Sequence, residues 1–137
     1  MLDLYKNVTI TIVIYQESFE ILSKCLINVR GFKIIIIDNS GNHKLREEVL
    51  KKYKIFKYII NSNNLGFSKA TNQAIKLVDT QYALCLQADC KISTKNINKL
   101  YLALNKYENC ILVTPTYYDE IGNLTYSGGP LPEKKIE

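Results

Sequence analysis

Short apolar runs with strand character alternate with segments of helical periodicity along this chain. The run Lys33–Asp38 (KIIIID) constrains the fold most, because its four consecutive isoleucines leave no polar face. Such a run is typical of a strand that is covered on both faces, as in a parallel sheet. Further strands are predicted at Val8–Tyr15, Phe56–Ile60, Tyr82–Leu86 and Cys110–Thr114.

Amphipathic helical patterns lie between these strands. Ser18 is a candidate N-cap of the first helix, whose apolar residues recur at helical spacing over Ile21–Val29 and which Gly31 would terminate. Further helices are predicted over Leu45–Tyr53, Phe67–Val78 and Ile97–Tyr107, the last capped at Ser93 or Thr94. Four strand–helix alternations with right-handed crossovers predict an α/β fold with a three-layer, mostly parallel sheet.

The pattern changes after the last predicted strand. Asp119–Asn123 has the composition of a turn and is flanked by Pro115–Tyr118 and Leu124–Ser127, which predicts a C-terminal β-hairpin. Neither a linker nor a repeat interrupts the chain, and its 137 residues are the length of one ordinary domain. The sequence therefore predicts a single domain, residues 1–137.

Charge and cysteine content narrow the function classes. The formal charge is +5, but only Arg30 and Arg46 are arginines, and the lysines around Lys51 share a helix face with glutamates. We therefore expect no nucleic-acid partner, although the basic surface suits weak peripheral contact with anionic lipid. The chain shows neither a secretory signal nor an apolar run near the roughly 20 residues of a membrane span. The four cysteines lack metal-ligand spacing, so a cytoplasmic protein is expected, with any membrane contact at the inner face.

Polar and acidic residues follow the predicted strands. The carboxyl ends of parallel strands meet at one edge of the sheet, where open α/β folds bind ligands. The residues gathered there are Tyr15–Glu17, Asp38–Ser40, Asn61–Asn64, Gln87–Asp89 and Thr114. This edge is the predicted site.

Several common occupants of such an edge are excluded. The chain has neither a G-x-G-x-x-G motif after its first strand nor a G-x-x-x-x-G-K-[ST] loop. A receiver domain needs an acidic pair after the first strand, where only Glu17 stands. The single histidine, His43, lies in a turn, which argues against a Ser-His-Asp hydrolase.

Three features of this edge can each be interpreted as part of a ligand site or as an ordinary structural element. Asp38 can accept hydrogen bonds from a base or ribose, but an aspartate before Asn-Ser-Gly is also an ordinary turn former. Asp89 can bind a hard divalent cation together with diphosphate oxygens and water, or is a simple loop residue. Gly66, within Asn64–Asn72, opens a helix whose free amides can face an anion beside Lys69, or is a plain loop–helix junction.

The residues of these segments carry a resemblance to a known family. VTITIVIYQES, IIIIDNSG, NSNNLGFSKATNQAI and YALCLQAD, in this order and spacing, resemble the nucleotide-binding half of family 2 glycosyltransferases with the GT-A fold. The rhamnosyltransferase-like branch is most similar, and TPTYYDEIGNLTYSGGPLP resembles the stretch that follows there. The resemblance spans Val8 to about Pro132, and Asn64–Ile75 is its most specific part.

The resemblance implies a nucleotide-diphosphate sugar donor, Mg²⁺ or Mn²⁺, and inversion at the anomeric carbon. The residues implied to line the base and ribose pocket are Tyr15, Glu17 and Asp38. Those implied to lie along the rest of the donor are Asn64, Gly66, Lys69 and Asn72. The implied metal ligand is Asp89, in a Gln87-Ala88-Asp89 motif where the family has Asp-x-Asp or Asn-Pro-Asp.

The implied activity is sugar transfer to a glycan or lipid-linked acceptor in polysaccharide biosynthesis. The alternative is a non-catalytic module that binds nucleotide sugars. The family's catalytic base and acceptor-binding half follow the point where this sequence ends, and Asp119 and Glu120 match no family position. No catalytic base is assigned. We expect a truncated domain that self-associates or has a partner chain supplying the missing half.

Overall fold

A computed structural model describes residues 2–119 and 121–125. The chain divides into two compact units, residues 1–97 and 98–137. The elements follow in the order α1 (Leu2–Asn7), β1 (Val8–Ile14), α2 (Phe19–Asn28), β2 (Lys33–Asp38), α3 (His43–Lys52), β3 (Lys57–Ile60), α4 (Phe67–Ile75), β4 (Tyr82–Gln87) and α5 (Thr94–Lys106).

The first unit is built on a four-stranded sheet of order β3-β2-β1-β4 in which every pairing is parallel. The order runs from β1 through β2 to β3 on one side and jumps to β4 on the other. The strand order therefore reverses beside β1, which is where open α/β sheets bind ligands. The predicted α/β class is confirmed.

Helices cover the two faces of the sheet. Alternate residues of β2 point to opposite faces, so the strand is buried from both sides. Ile35 and Ile37 pack against Ala70 and Ala74 of α4. Ile34 faces the other way and lines a cavity with residues of α2 and α3. All four isoleucines are at most 3% exposed. The uninterrupted apolar run is thus explained by burial on both faces.

Side chains predicted to cap two helices do so. Ser18 Oγ accepts a hydrogen bond from the amide of Ile21 at the start of α2 (3.3 Å). At the start of α5, the capping side chain is that of Ser93, whose Oγ accepts from the amide of Asn96 (3.2 Å). Each bond satisfies an amide that the first helical turn leaves free.

The sequence did not predict α1. Leu4 is buried in the core, and the Tyr5 ring lies 4.5 Å from that of Phe32. Gly31, at φ +92°, makes this contact possible, because a Cβ there would lie 3.2 Å from the Tyr5 ring. The helix has only six residues, too few for a clear periodic pattern, and packing stabilises it.

The predicted strand Cys110–Thr114 is wrong. Residues 110–117 have no regular secondary structure, and Ile111 and Leu112 are 94% and 80% exposed. A β-prone run becomes a strand only when it pairs, and within the described residues it has no partner strand.

The predicted hairpin is confirmed in its described part. Tyr118 and Leu124 form an antiparallel bridge, and the amide of Asp119 donates to the carbonyl of Asn123 (2.9 Å). Hydrogen bonds from the turn, chiefly from the Asn123 amide, hold the pKa of Asp119 below its usual range. Glu120 and the predicted strand end at 126–127 lie outside the described residues.

Searching the described residues for a helix long and apolar enough to cross a membrane finds none.

Candidate functional site

The carboxyl ends of the four strands are in register. Ile14 pairs with Asp38, Asp38 pairs with Ile60, and Val13 pairs with Gln87. The four loops that follow the strands therefore open onto one edge. Because neighbouring strands lie about 4.8 Å apart, the ends of β2 and β4 are separated by about 10 Å. The segments predicted to form a site share this edge.

Asp38 is fully buried at the end of β2. Its Oδ1 accepts hydrogen bonds from the Ser40 amide (2.8 Å) and the Ser40 hydroxyl, and its Oδ2 accepts from the Tyr58 hydroxyl (2.9 Å). Both oxygens are thus engaged, and the bond to the Ser40 amide is that of a turn-forming aspartate. A ligand would reach this carboxylate only after Ser40 or Tyr58 moved.

Tyr58 is a functional candidate that the sequence reasoning missed. Burial raises the pKa of its hydroxyl, and the negative charge of Asp38 and the hydrogen bond between them raise it further. The charge of Glu17 acts in the same direction, which places Glu17 within electrostatic reach of the pair. The one available signal was a tyrosine two residues before the end of an otherwise apolar strand.

An amide network connects β2, β3 and α4. Asn61 Nδ2 donates to Asn39 Oδ1 (2.8 Å) and to Gln73 Oε1 (3.0 Å), while Gln73 Nε2 donates to Asn61 Oδ1 (3.2 Å). Asn39 Nδ2 donates to the carbonyl of Gly66 (3.5 Å). The network fixes the amino end of α4 to the sheet edge. Asn39, buried directly after the apolar run, was its strongest sequence signal.

The amino end of α4 faces open space. Gly66 is the N-cap at φ +80°, no side chain caps the helix, and a Cβ at Gly66 would meet nothing within 4 Å. Asn64 Oδ1 accepts from the Gly66 amide (2.8 Å), which shapes the loop before the helix. Lys69 and Asn72 are exposed on α4. The helix dipole and the exposed cation both favour an anion at this position.

The turn after β1 is closed by Glu17, whose carboxylate accepts a hydrogen bond from the Tyr15 amide. Gln16, between them, adopts φ +63°. The Tyr15 side chain is 47% exposed. This turn places an aromatic ring and a carboxylate at the edge where the strand order reverses.

Asp89 is exposed beyond the end of β4 and accepts a hydrogen bond from the Cys90 thiol. Burial raises the pKa of the neighbouring Cys25 thiol to about 12, and the charges of Cys90 and Asp89 add to this. Both thiols therefore stay protonated at neutral pH. Across residues 2–119 and 121–125, no three His, Cys, Asp or Glu side chains group as a metal site. Asp89 is left as a single hard-oxygen ligand.

Hydrogen bonds or charge interactions connect some of the predicted site residues and leave others unconnected. Tyr58 binds Asp38, the charge of Glu17 acts on the same tyrosine, and Asn39 connects Gly66 to the same edge. Asp89 shares the edge through strand register, but the described hydrogen bonds do not connect it to the others. Direct contact of any of them with a ligand stays a prediction.

An open parallel sheet that reverses its order beside β1, with polar loops at the strand ends, defines an open α/β domain of the class that binds ligands at this edge. The sequence model of glycosyl transferase family 2 matches residues 9–135. The chain therefore belongs to glycosyltransferase family 2, as the resemblance predicted.

Individual relatives agree with this assignment. An uncharacterized glycosyltransferase of Methanocaldococcus jannaschii is 26% identical over 128 residues, which are 85% of this chain and 44% of that protein. The chain thus spans less than half the length of this relative.

Solved structures show the same architecture. The complex of S. aureus TarS with UDP matches with a TM-score of 0.59 at 17% identity, over 73% of this chain and 32% of TarS. The complex with UDP-GlcNAc matches with a TM-score of 0.60 at 14% identity, over 73% of this chain and 31% of TarS. At these identities the likeness shows the fold, which is GT-A.

Proposed function

We propose that this chain binds a nucleotide-diphosphate sugar at the carboxyl-end edge of its sheet and takes part in sugar transfer, with inversion, to a glycan or lipid-linked acceptor. The observation that carries the proposal is the uncapped amino end of α4, held open beside the strand ends. Membership of family 2 supports sugar transfer, and the UDP and UDP-GlcNAc complexes of TarS support a nucleotide sugar as donor.

The diphosphate is assigned to the start of α4. The free amides of the first turn and the positive end of the helix dipole suit phosphate oxygens. Gly66 lets a phosphate approach the backbone, and Lys69 adds a positive charge from the same turn. Asn64 and Asn72 supply amides that bond sugar or phosphate oxygens.

The base and ribose are assigned to the ends of β1 and β2. Tyr15 offers an exposed ring for stacking, and Glu17 offers a carboxylate that can accept from ribose hydroxyls. Asp38, with its oxygens occupied, is proposed to hold the turn that contacts the base.

A divalent cation is assigned to Asp89. The residues fit such an ion, because Mg²⁺ is commonly held by one or two carboxylates with the remaining ligands from phosphates and water. When bound, Mg²⁺ or Mn²⁺ neutralises the charge that develops on the leaving diphosphate. Because Asp89 has no second carboxylate grouped with it among residues 2–119 and 121–125, we expect weak metal binding without the nucleotide.

Titration calorimetry with UDP, GDP and dTDP, each with and without Mn²⁺, tests the proposal. Wild-type protein should bind one of them in a metal-dependent way. Asp89→Ala should remove the metal dependence, and Lys69→Gln should weaken binding about tenfold, as expected for one charge-assisted contact. Asp3→Ala, which removes an exposed carboxylate from α1, is the matched control. Equal affinities in wild type and Asp89→Ala would remove Asp89 from the metal site.

Measuring whether nucleotide diphosphate is released from a nucleotide sugar distinguishes an enzyme from a non-catalytic binding module. Hydrolysis or transfer supports an enzyme, for which a base must take the acceptor proton. Binding without turnover supports a non-catalytic module. The family membership favours the enzyme, whereas the lone carboxylate at Asp89 favours the module.

A further inference from the structure

The end of the first unit opposite the candidate site is basic. The α2–β2 and α3–β3 connections lie at the amino ends of the strands, because each helix runs back across the sheet. Cations at this end are Lys6, Arg30, Lys33, Lys51, Lys52, Lys54, Lys57 and Lys76, against the acids Asp3 and Asp79 among the described residues. The acids of the candidate site lie at the other end, so the charge is segregated along the strands.

Three of these cations surround one cavity of about 210 Å³. Arg30, Lys52 and Lys54 line it together with Tyr53 and Ile34, and its described lining includes no carboxylate. The described ion pairs, Lys24 with Glu20 and Lys33 with Asp79, involve none of the three. Their charge is therefore left for a ligand or solvent.

Aromatic rings hold two of these cations. The Arg30 guanidinium lies 5.4 Å from the centre of the Tyr53 ring, and the Lys52 ammonium lies 5.7 Å from the same ring. Tyr53 is itself fixed, since it is buried and its hydroxyl donates to the carbonyl of Ser23 (3.2 Å). The Tyr53 ring restricts both charged groups, which reduces the entropy lost when an anion binds.

Exposed apolar side chains lie at the same end of the sheet. Ile27, in the last turn of α2, is 54% exposed, and Phe56, just before β3, is 45% exposed. Phe56 carries cations on its ring, with Lys33 4.5 Å and Lys57 5.3 Å from its centre. The combination of cations with exposed apolar side chains is complementary to the headgroup region of an anionic bilayer.

We propose that the amino-end surface formed by Ile27, Arg30, Lys52, Lys54 and Phe56 docks on an anionic phospholipid bilayer, with a headgroup phosphate in the cavity. A nucleic acid would use the cations but not the exposed aliphatic side chain of Ile27. A free phosphate compound would use neither Ile27 nor Phe56. Docking by this surface leaves the candidate donor site at the opposite end of the strands accessible.

Vesicle co-sedimentation tests this surface. Wild-type protein should bind vesicles of phosphatidylcholine with phosphatidylglycerol, should not bind phosphatidylcholine alone, and should be released by high salt. The triple variant Arg30→Gln, Lys52→Gln, Lys54→Gln should bind on the order of 100-fold more weakly, since each cation near an anionic surface contributes about fivefold. Phe56→Ser and Ile27→Ser should each weaken binding severalfold.

A matched variant controls for net charge. Lys91→Gln, Lys95→Gln, Lys99→Gln removes the same charge from exposed positions elsewhere and should retain vesicle binding. Equal loss in both triple variants, or equal binding to neutral vesicles, would overturn the proposal. Binding of inorganic phosphate to the cavity in a protein that does not bind vesicles would also overturn it. So would stronger binding to an RNA oligonucleotide that needs the same three cations. Circular dichroism of each variant confirms that it is folded.

Discussion

Asp38 shows how one buried carboxylate organises the candidate site. Its oxygens accept from Ser40 and from Tyr58, so it joins the end of β2 to the adjacent strand β3. A buried charge is stable only when its hydrogen bonds are made. The sequence identified Asp38 and its turn, but it did not identify Tyr58 as the partner.

Removing either side of this bond should destabilise the protein. Tyr58→Phe removes one donor to a buried carboxylate and should cost roughly 1–3 kcal/mol in the free energy of unfolding. Asp38→Asn turns one acceptor into a donor that faces other donors, and should cost at least as much. Urea denaturation measures both. Unchanged midpoints would mean that the carboxylate is reached by solvent.

The same pair predicts a loss of stability at alkaline pH. The folded state raises the pKa of Tyr58 above its ordinary value of 10.0, so above that pH the unfolded state loses a proton that the folded state keeps. The stabilisation is complete below pH 10 and is lost as the pH rises beyond it. Tyr58→Phe should flatten this part of the profile, as measured by urea midpoints across the range. A variant that keeps the full wild-type slope would assign the effect to another group.

At the scale of elements, α4 is positioned by its first residues and by its small apolar face. Ala70 and Ala74 are fully buried and allow α4 to lie close to β2, while Gly66 turns the chain into the helix. The sequence predicted both the helix and its glycine start. It did not predict the Asn39–Asn61–Gln73 network that fixes the helix end, because that network joins three separate segments.

Two glycines provide a comparison at this scale. Gly66→Ala should cost about 1–3 kcal/mol from the backbone alone, because φ +80° with ψ 160° is a conformation that essentially only glycine adopts, although the space around it is open. Gly31→Ala adds contact strain to its positive φ, since its Cβ would press on the Tyr5 ring at 3.2 Å. Thermal unfolding measures both costs, and an unchanged melting temperature of Gly31→Ala would contradict the packing of α1. Nucleotide binding should fall only in Gly66→Ala.

The failed strand at Cys110–Thr114 and the unpredicted helix α1 have related causes. The apolar run has strand propensity but no described pairing partner, whereas the six residues of α1 have little helical pattern but a buried contact through Leu4. In both segments tertiary contacts outweigh local preference. Strand and helix boundaries elsewhere lie close to the predicted ones, because long periodic segments also meet their partners.

At the scale of the molecule, strand β4 exposes its outer edge and several side chains. It pairs with β1 on one side, and among the described residues no strand pairs with its other side. Ala83, Cys85 and Gln87 are exposed along it, because α4 packs on β1 and β2 instead. A free strand edge with apolar surroundings is a template for pairing with another chain.

Sedimentation should therefore show concentration-dependent association. Cys85→Lys places a charge on the free strand and should shift the protein toward monomer. Ser68→Lys, which adds the same charge at an exposed position of α4, should not. A wild-type protein that stays monomeric at all concentrations, without binding a dye specific for apolar surfaces, would contradict self-association.

The sequence by itself determined the alternation of strands and helices from β1 to α5, the fully buried strand β2, the helix cap at Ser18, and the family. These properties depend on periodicity, on local capping bonds and on short motifs, all of which lie within one segment. Only the tertiary structure decided that Asp38 is enclosed by Tyr58, that α4 is fixed through Asn39, and that Arg30, Lys52 and Lys54 surround one cavity. Each of these depends on residues that are far apart in the chain and meet only when the strands pair and the helices pack.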